Sequence, residues 1–118
     1  MFQAKGHSFS VLELLGGDGG RLAVDANGRF DIETALIYSA AMAPYGLRWF
    51  EEPGDPLDYA LNAEIVRNYP HAVATGENLL SLQDATNLIR HGGLRRGTDY
   101  LQFDPALAHG VLETIAIT

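Results

Sequence analysis

The sequence predicts an α/β protein in which short parallel strands alternate with helices in a repeat of about 26 residues. Three observations predict it. Short apolar runs rich in Val, Ala, Leu and aromatic residues alternate with segments whose apolar residues recur at helical spacing. Turn formers separate them: Asn27-Gly28, Pro44 with Gly46, Pro53-Gly54 and His91-Gly92-Gly93. An acidic residue closes an apolar run at Asp25, at Glu51 and at Glu77, at equal intervals of 26 residues.

Residues 1–20 carry little pattern. Phe9–Leu15 reads as a short helix with Ser8 as a cap, stopped by Gly16-Gly17-Asp18-Gly19-Gly20. These glycines precede a strand, the wrong order for a phosphate loop. The first strand is Arg21–Asp25. Asp31 then caps a helix over Ile32–Ala43, with Ile32, Leu36, Ile37 and Ala40 as its apolar stripe. Leu47–Glu52 is the second strand. Asp58 opens a helix through Tyr69 that buries Leu61, Ile65 and Val66. Ala72–Glu77 is the third strand, and Ser81 caps the helix ending at Arg90, with Asp84 three residues on. The fourth strand is Tyr100–Asp104, and a last helix is expected from about Leu107 to Ile117.

Strands that alternate with helices run parallel through right-handed crossovers. Two architectures accommodate four such units: a partial (β/α)8 barrel, or a small open doubly wound sheet. Both put functional groups at the carboxyl ends of the strands, where the acids lie.

A chain of 118 residues is one domain by length. Hydrophobic content of 47% fits a globular protein, and neither a membrane-spanning run nor a signal-peptide pattern is visible. No cysteine means no disulfide, thiolate nucleophile or zinc–thiolate site, and favours a cytosolic setting. A net charge of −7 repels phosphate backbones and argues against a nucleic-acid partner.

Asp25, Glu51 and Glu77 on successive parallel strands would project from one rim, with strands about 4.8 Å apart. An all-oxygen set of this kind suits Mg²⁺. An acid at a strand end is also ordinary cap or turn chemistry, so no single position argues for a metal. Three at equal intervals, followed by Asp104, do. Glu52 adjoins Glu51, and strand alternation sends the two side chains to opposite faces. The interval selects Glu51, leaving Glu52 to support the ligands. Asn27 and Asn78, just beyond their acids, could orient a ligand or bind substrate, or simply serve their turns. Asp104 could be a fourth ligand or the partner of a histidine base. His109 could reach the rim, although a lone histidine near a helix start is more often a packing residue. His7, His71 and His91 lie in the tail or at the other end of the strands and take no role.

Val24-Asp25-Ala26-Asn27, Trp49-Phe50-Glu51-Glu52-Pro53 and Thr75-Gly76-Glu77-Asn78 together resemble the three metal-ligand strands of the enolase superfamily, in its mandelate racemase branch. Leu22–Phe30, Trp49–Tyr59, Ala74–Leu79 and Leu101–Leu107 resemble its D-tartrate dehydratase-like group. The likeness runs from about Arg21 to Gly110, so 21–118 is taken as part of the family's C-terminal barrel domain, with 1–20 outside it. The resemblance implies a (β/α)8 barrel that binds Mg²⁺ through Asp25, Glu51 and Glu77. It implies that the ion holds a substrate carboxylate and stabilises the enediolate formed on proton removal, with water then eliminated from D-tartrate or a sugar acid. Asp104 would be the dyad partner of a histidine on the next strand.

The chain departs from that pattern at the bases. Its only lysine is Lys5, and the family's catalytic lysine would fall before Met1. The strand bearing the dyad histidine would follow Thr118. The expectation is therefore a dehydratase fragment that holds the metal ligands, lacks both bases and is inactive alone. Its unpaired strand edges would favour self-association. Two alternatives remain. One is a non-catalytic Mg²⁺-binding half-barrel remnant; the other, more distant, is a receiver-like phosphoacceptor domain, which would place helices on both faces of the sheet.

Overall fold

The computed structural model describes residues 5–107 together with 110 and 115, with side chains from residue 10 onward. Four helices and four strands alternate: α1 Lys5–Leu14, β1 Ala23–Asp25, α2 Ile32–Met42, β2 Trp49–Glu51, α3 Tyr59–Asn68, β3 Val73–Thr75, α4 Leu82–His91 and β4 Tyr100–Leu101. The strands form one sheet in chain order β1-β2-β3-β4, and each neighbouring pair is parallel. Because every crossover steps one strand in the same direction, right-handed connections stack the helices on one face. α2 packs on α3 and α3 on α4 in a single layer. A receiver-like sheet with helices on both faces is excluded by this order.

The helices start where the sequence places their caps. Asp31, Asp58 and Ser81 each accept a hydrogen bond from the backbone N–H three residues on, at 2.8, 3.0 and 3.1 Å. Two expectations at the N-terminus change. α1 begins at Lys5, so Ser8 lies inside the helix instead of capping it. Its end is as expected: Gly16 and Gly17 take positive φ, and the Gly17 N–H reaches back 2.8 Å to the Leu12 carbonyl. Asp18 then caps a 3-10 turn over Gly19–Arg21, where the first strand had been expected to begin.

The strands are shorter than their apolar runs. β4 stops at Leu101, although the Gln102 N–H still donates to the Thr75 carbonyl at 2.9 Å. The last helix expected over 107–117 lies largely outside the described residues, as does His109. Within the described part, residues 105–107 form a turn and Ile115 is helical.

The core fills the space between sheet and helices. Phe50 and Val73 cluster with Val66 and Tyr69 of the α3 layer, and Leu79 clusters with Ala85 and Leu88 of α4. Alternation turns the neighbouring strand residues the other way. Ala23, Trp49, Ala74 and Tyr100 share the opposite face with Asp25 and Glu51, as their register shows. The crossover helices α2, α3 and α4 lie on the other side of the sheet, and Tyr100 on this face is 45% exposed. Among the described residues no helix is long and apolar enough to cross a membrane.

At the amino ends of the strands a polar staple joins three segments. Asp99 accepts from the Val73 N–H at 2.9 Å and from Arg95 through its backbone N–H and its guanidinium. Arg95 also donates to the carbonyls of Tyr69 and His71 at 3.0 and 2.6 Å. This leaves the other end of the sheet for the acids.

Candidate metal centre

Asp25 and Glu51 are register partners at the carboxyl ends of β1 and β2, so backbone pairing alone brings them to one rim. Glu77 leaves β3 after Gly76, which has φ +117°. A Cβ at position 76 would lie 2.6 Å from the Gln102 carbonyl oxygen and 3.4 Å from its nitrogen. Only glycine allows this approach of the two backbones while turning the chain into Glu77. Gly76→Ala is expected to destabilise the fold by about 2 kcal/mol or more, since strain and collision add. An unchanged Tm in thermal denaturation would contradict that account.

The turn after β1 is built around Asp25. Its Oδ1 accepts from the Asn27 backbone at 2.7 Å and its Oδ2 from the Asn27 side chain at 3.4 Å. Asn27 takes φ +56° and Gly28 +66°, the left-handed pair that Asn-Gly tolerates. Glu51 is held differently. Trp49, two residues earlier on the same face, donates its indole Nε1–H to Oε2 at 2.7 Å, and Gln102 donates Nε2–H to Oε1 at 3.0 Å.

Alternation alone would remove Glu52 from this rim, yet the structure brings it in. The backbone leaves the strand at Glu52 with φ +35°, and the residue is only 3% exposed. Both its oxygens accept from the Asn78 amide, at 2.9 and 2.8 Å. Burial pushes its carboxyl above the ordinary range, the Asn78 bonds pull it down, and the charges of Glu77, Asp25 and Glu51 push it further up. Glu52 thus senses all three of the other acids, and Asn78 is its anchor. Asp104 lies three residues past β4, with its Oδ1 capping the turn at Ala106 N–H, 2.8 Å away. His71 bonds the Ala43 carbonyl at 2.7 Å, at the opposite end of the sheet.

The carboxylates share a rim and a field without forming a finished cage. Among the described residues, no group of three or more His, Asp or Glu side chains stands ready to hold a metal ion. Asp25 is turned to Asn27, and Glu51 to Trp49 and Gln102. The donor set nevertheless fits a hard cation, because every candidate atom is a carboxylate or amide oxygen. Beyond the effect of burial, Glu77, Asp25 and Glu51 each add to the upward shift at Glu52, a repulsion that a cation would offset. Two contributors escaped the sequence reading. Trp49 was legible in the i, i+2 spacing to Glu51; Gln102 required knowing that β4 lies two strands from β2 with only Ala74 between.

Comparison with known proteins agrees with the fold. The family described as enolase C-terminal domain-like matches residues 10–118. A 3,6-anhydro-α-L-galactonate cycloisomerase of Streptomyces coelicolor is 45% identical over 78 residues, covering 66% of this chain and 22% of that protein. An L-talarate/galactarate dehydratase of Salmonella typhimurium is 35% identical over 102 residues, covering 86% of this chain and 24% of that protein. The crystal structure of L-talarate dehydratase from Polaromonas sp. JS666, complexed with Mg and L-glucarate, superposes with a TM-score of 0.86 at 32% identity. That match covers 97% of this chain and 30% of the other. The chain thus spans about a quarter of the length of the curated relatives it matches.

Proposed function

The chain belongs to the enolase C-terminal domain-like family, as a partial barrel of four β/α units, and from that premise we propose that it is the metal-binding part of a Mg²⁺-dependent dehydratase of small hydroxy acids. Asp25, Glu51 and Glu77 would hold the ion. The observation that carries this reading is the rim itself: one acid per successive strand, with Asp25 and Glu51 in register and Glu52 buried behind them, close enough to feel the charges of Glu77, Asp25 and Glu51. A Mg²⁺ bound there supplies positive charge against the negative charge that develops on a substrate carboxylate as the adjacent C–H proton leaves.

The chain's own residues do the rest of what falls to this half. Asn78 fixes Glu52 behind the ligands. Asn27 fixes Asp25. Asp104, three residues past β4, would pair with a histidine base on a neighbouring strand, and in that role it would orient and charge the imidazole. The substrate would be D-tartrate or a longer sugar acid such as those named for the dehydratase relatives, encountered in the cytosol. The uncovered sheet face and the outer edges of β1 and β4 would favour self-association of the chain on its own.

No lysine or histidine side chain described in the structure reaches the rim. We therefore expect no turnover from these 118 residues alone. The assay is purified chain with Mg²⁺ and, separately, D-tartrate, galactarate and L-talarate, followed by keto-acid detection. An enzyme-like rate would show that the chain carries its own bases and would refute this part of the proposal.

A further inference from the structure

Glu51 is held by two side-chain donors, Trp49 and Gln102. Trp49 and Glu51 sit two apart on β2 and therefore share the face of the sheet opposite the crossover helices. The indole Nε1–H, which can only donate, is spent on Oε2 at 2.7 Å. Gln102 reaches Oε1 from beyond β4, at 3.0 Å. That reach crosses β3, and it is open because the residue in register with both Glu51 and Tyr100 is Ala74, whose methyl leaves the space above it clear. With its NH₂ committed to the carboxylate, the Gln102 Oε1 faces inward, buried and without a partner among the described residues. It retains capacity for one donor, such as a water of a hydrated cation.

We propose that Trp49 and Gln102 are positioning residues for Glu51, clamping one lone pair on each carboxylate oxygen so that the remaining pairs are presented to a divalent cation. This rests on the reading of Glu51 as a metal ligand. A carboxylate fixed by two charge-assisted bonds has less freedom to lose when an ion arrives. The same contact makes Trp49, the chain's single tryptophan, a reporter of the site.

The test is a Mg²⁺ titration followed in parallel by calorimetry and by tryptophan emission. Mg²⁺ does not itself quench indole, so a saturable emission change reports altered surroundings of Trp49, to which the Glu51 bond belongs. The expected result is an emission change whose midpoint matches the calorimetric Kd. Gln102→Met should weaken both midpoints about 10–100-fold, and Trp49→Phe should weaken the calorimetric one similarly. Far-UV circular dichroism and the metal-free Tm check that each variant remains folded. Wild-type affinity in both folded variants would overturn the clamp while leaving the metal reading intact. Calorimetric saturation of the wild type with no change in emission would also overturn it, and this arm needs no variant. Absence of any wild-type binding would overturn the metal reading itself, and the clamp with it.

Discussion

Asp99→Ala is expected to lower the stability of the fold by about 3 kcal/mol, near the bottom of the range for breaking a buried ion pair. The side chain is 1% exposed and accepts four hydrogen bonds, one from Val73 and three from Arg95. Alanine would leave the Val73 N–H and the Arg95 guanidinium without their carboxylate. The loss stays near the low end because Arg95 is a third exposed and keeps the Tyr69 and His71 carbonyls. For a chain of this size the Tm should fall by roughly 10 °C. The pH dependence has a definite sign. Burial pushes the Asp99 carboxyl up, but the Arg95 side chain, the two backbone N–H groups and the Arg95 charge together bring it below its usual 3.8. A group with a depressed folded pKa contributes stability that is present above 3.8 and is lost as pH falls through the folded value. Asp99→Asn should therefore flatten the stability curve below about pH 4 relative to the parent. Identical acid unfolding of the two proteins would contradict the staple.

Glu51→Gln should give effects of opposite sign with and without metal. Glutamine keeps an oxygen for Trp49 and leaves the core untouched, so the fold survives. Removing one of the charges that raise the Glu52 carboxyl should leave the metal-free protein at least as stable as the parent. Mg²⁺ affinity should fall by about 100-fold or more, beyond the loss typical of outer partners. The thermal shift produced by millimolar Mg²⁺ should then disappear, since that shift grows with the logarithm of [Mg²⁺]/Kd. A variant that keeps the parent's shift would remove Glu51 from the ligand set.

Most of the fold was legible because its signals are local. Asp31, Asp58 and Ser81 cap helices through their own backbones, and Phe50, Val66 and Leu88 lie on stripes that any sheet-facing helix or strand would show. The repeat implied parallel strands but left a barrel piece and a doubly wound sheet both open, and only the structure, with each strand beside the previous one, decides between them. What the sequence concealed depends on backbone angles and on distant pairings. Glu52 joins the rim because its φ is +35°, which no alternation rule anticipates for a non-glycine residue. Asn78 shows its purpose only once it is seen 26 residues away on Glu52. Ser8 failed as a cap because α1 continues one more turn toward Lys5. The fourth strand ends at Leu101, and Asp104 takes part in the turn that follows at 105–107.

In the proposed function, Asp25, Glu51 and Glu77 form one divalent-cation site. The most direct measurement is calorimetric titration of the purified chain with Mg²⁺, repeated for Asp25→Asn and Glu77→Gln. One ion per chain in the parent, with affinity lost in each variant, is the result expected. Binding that is unchanged in both variants, or a parent that takes up no Mg²⁺ at millimolar concentration, would contradict it.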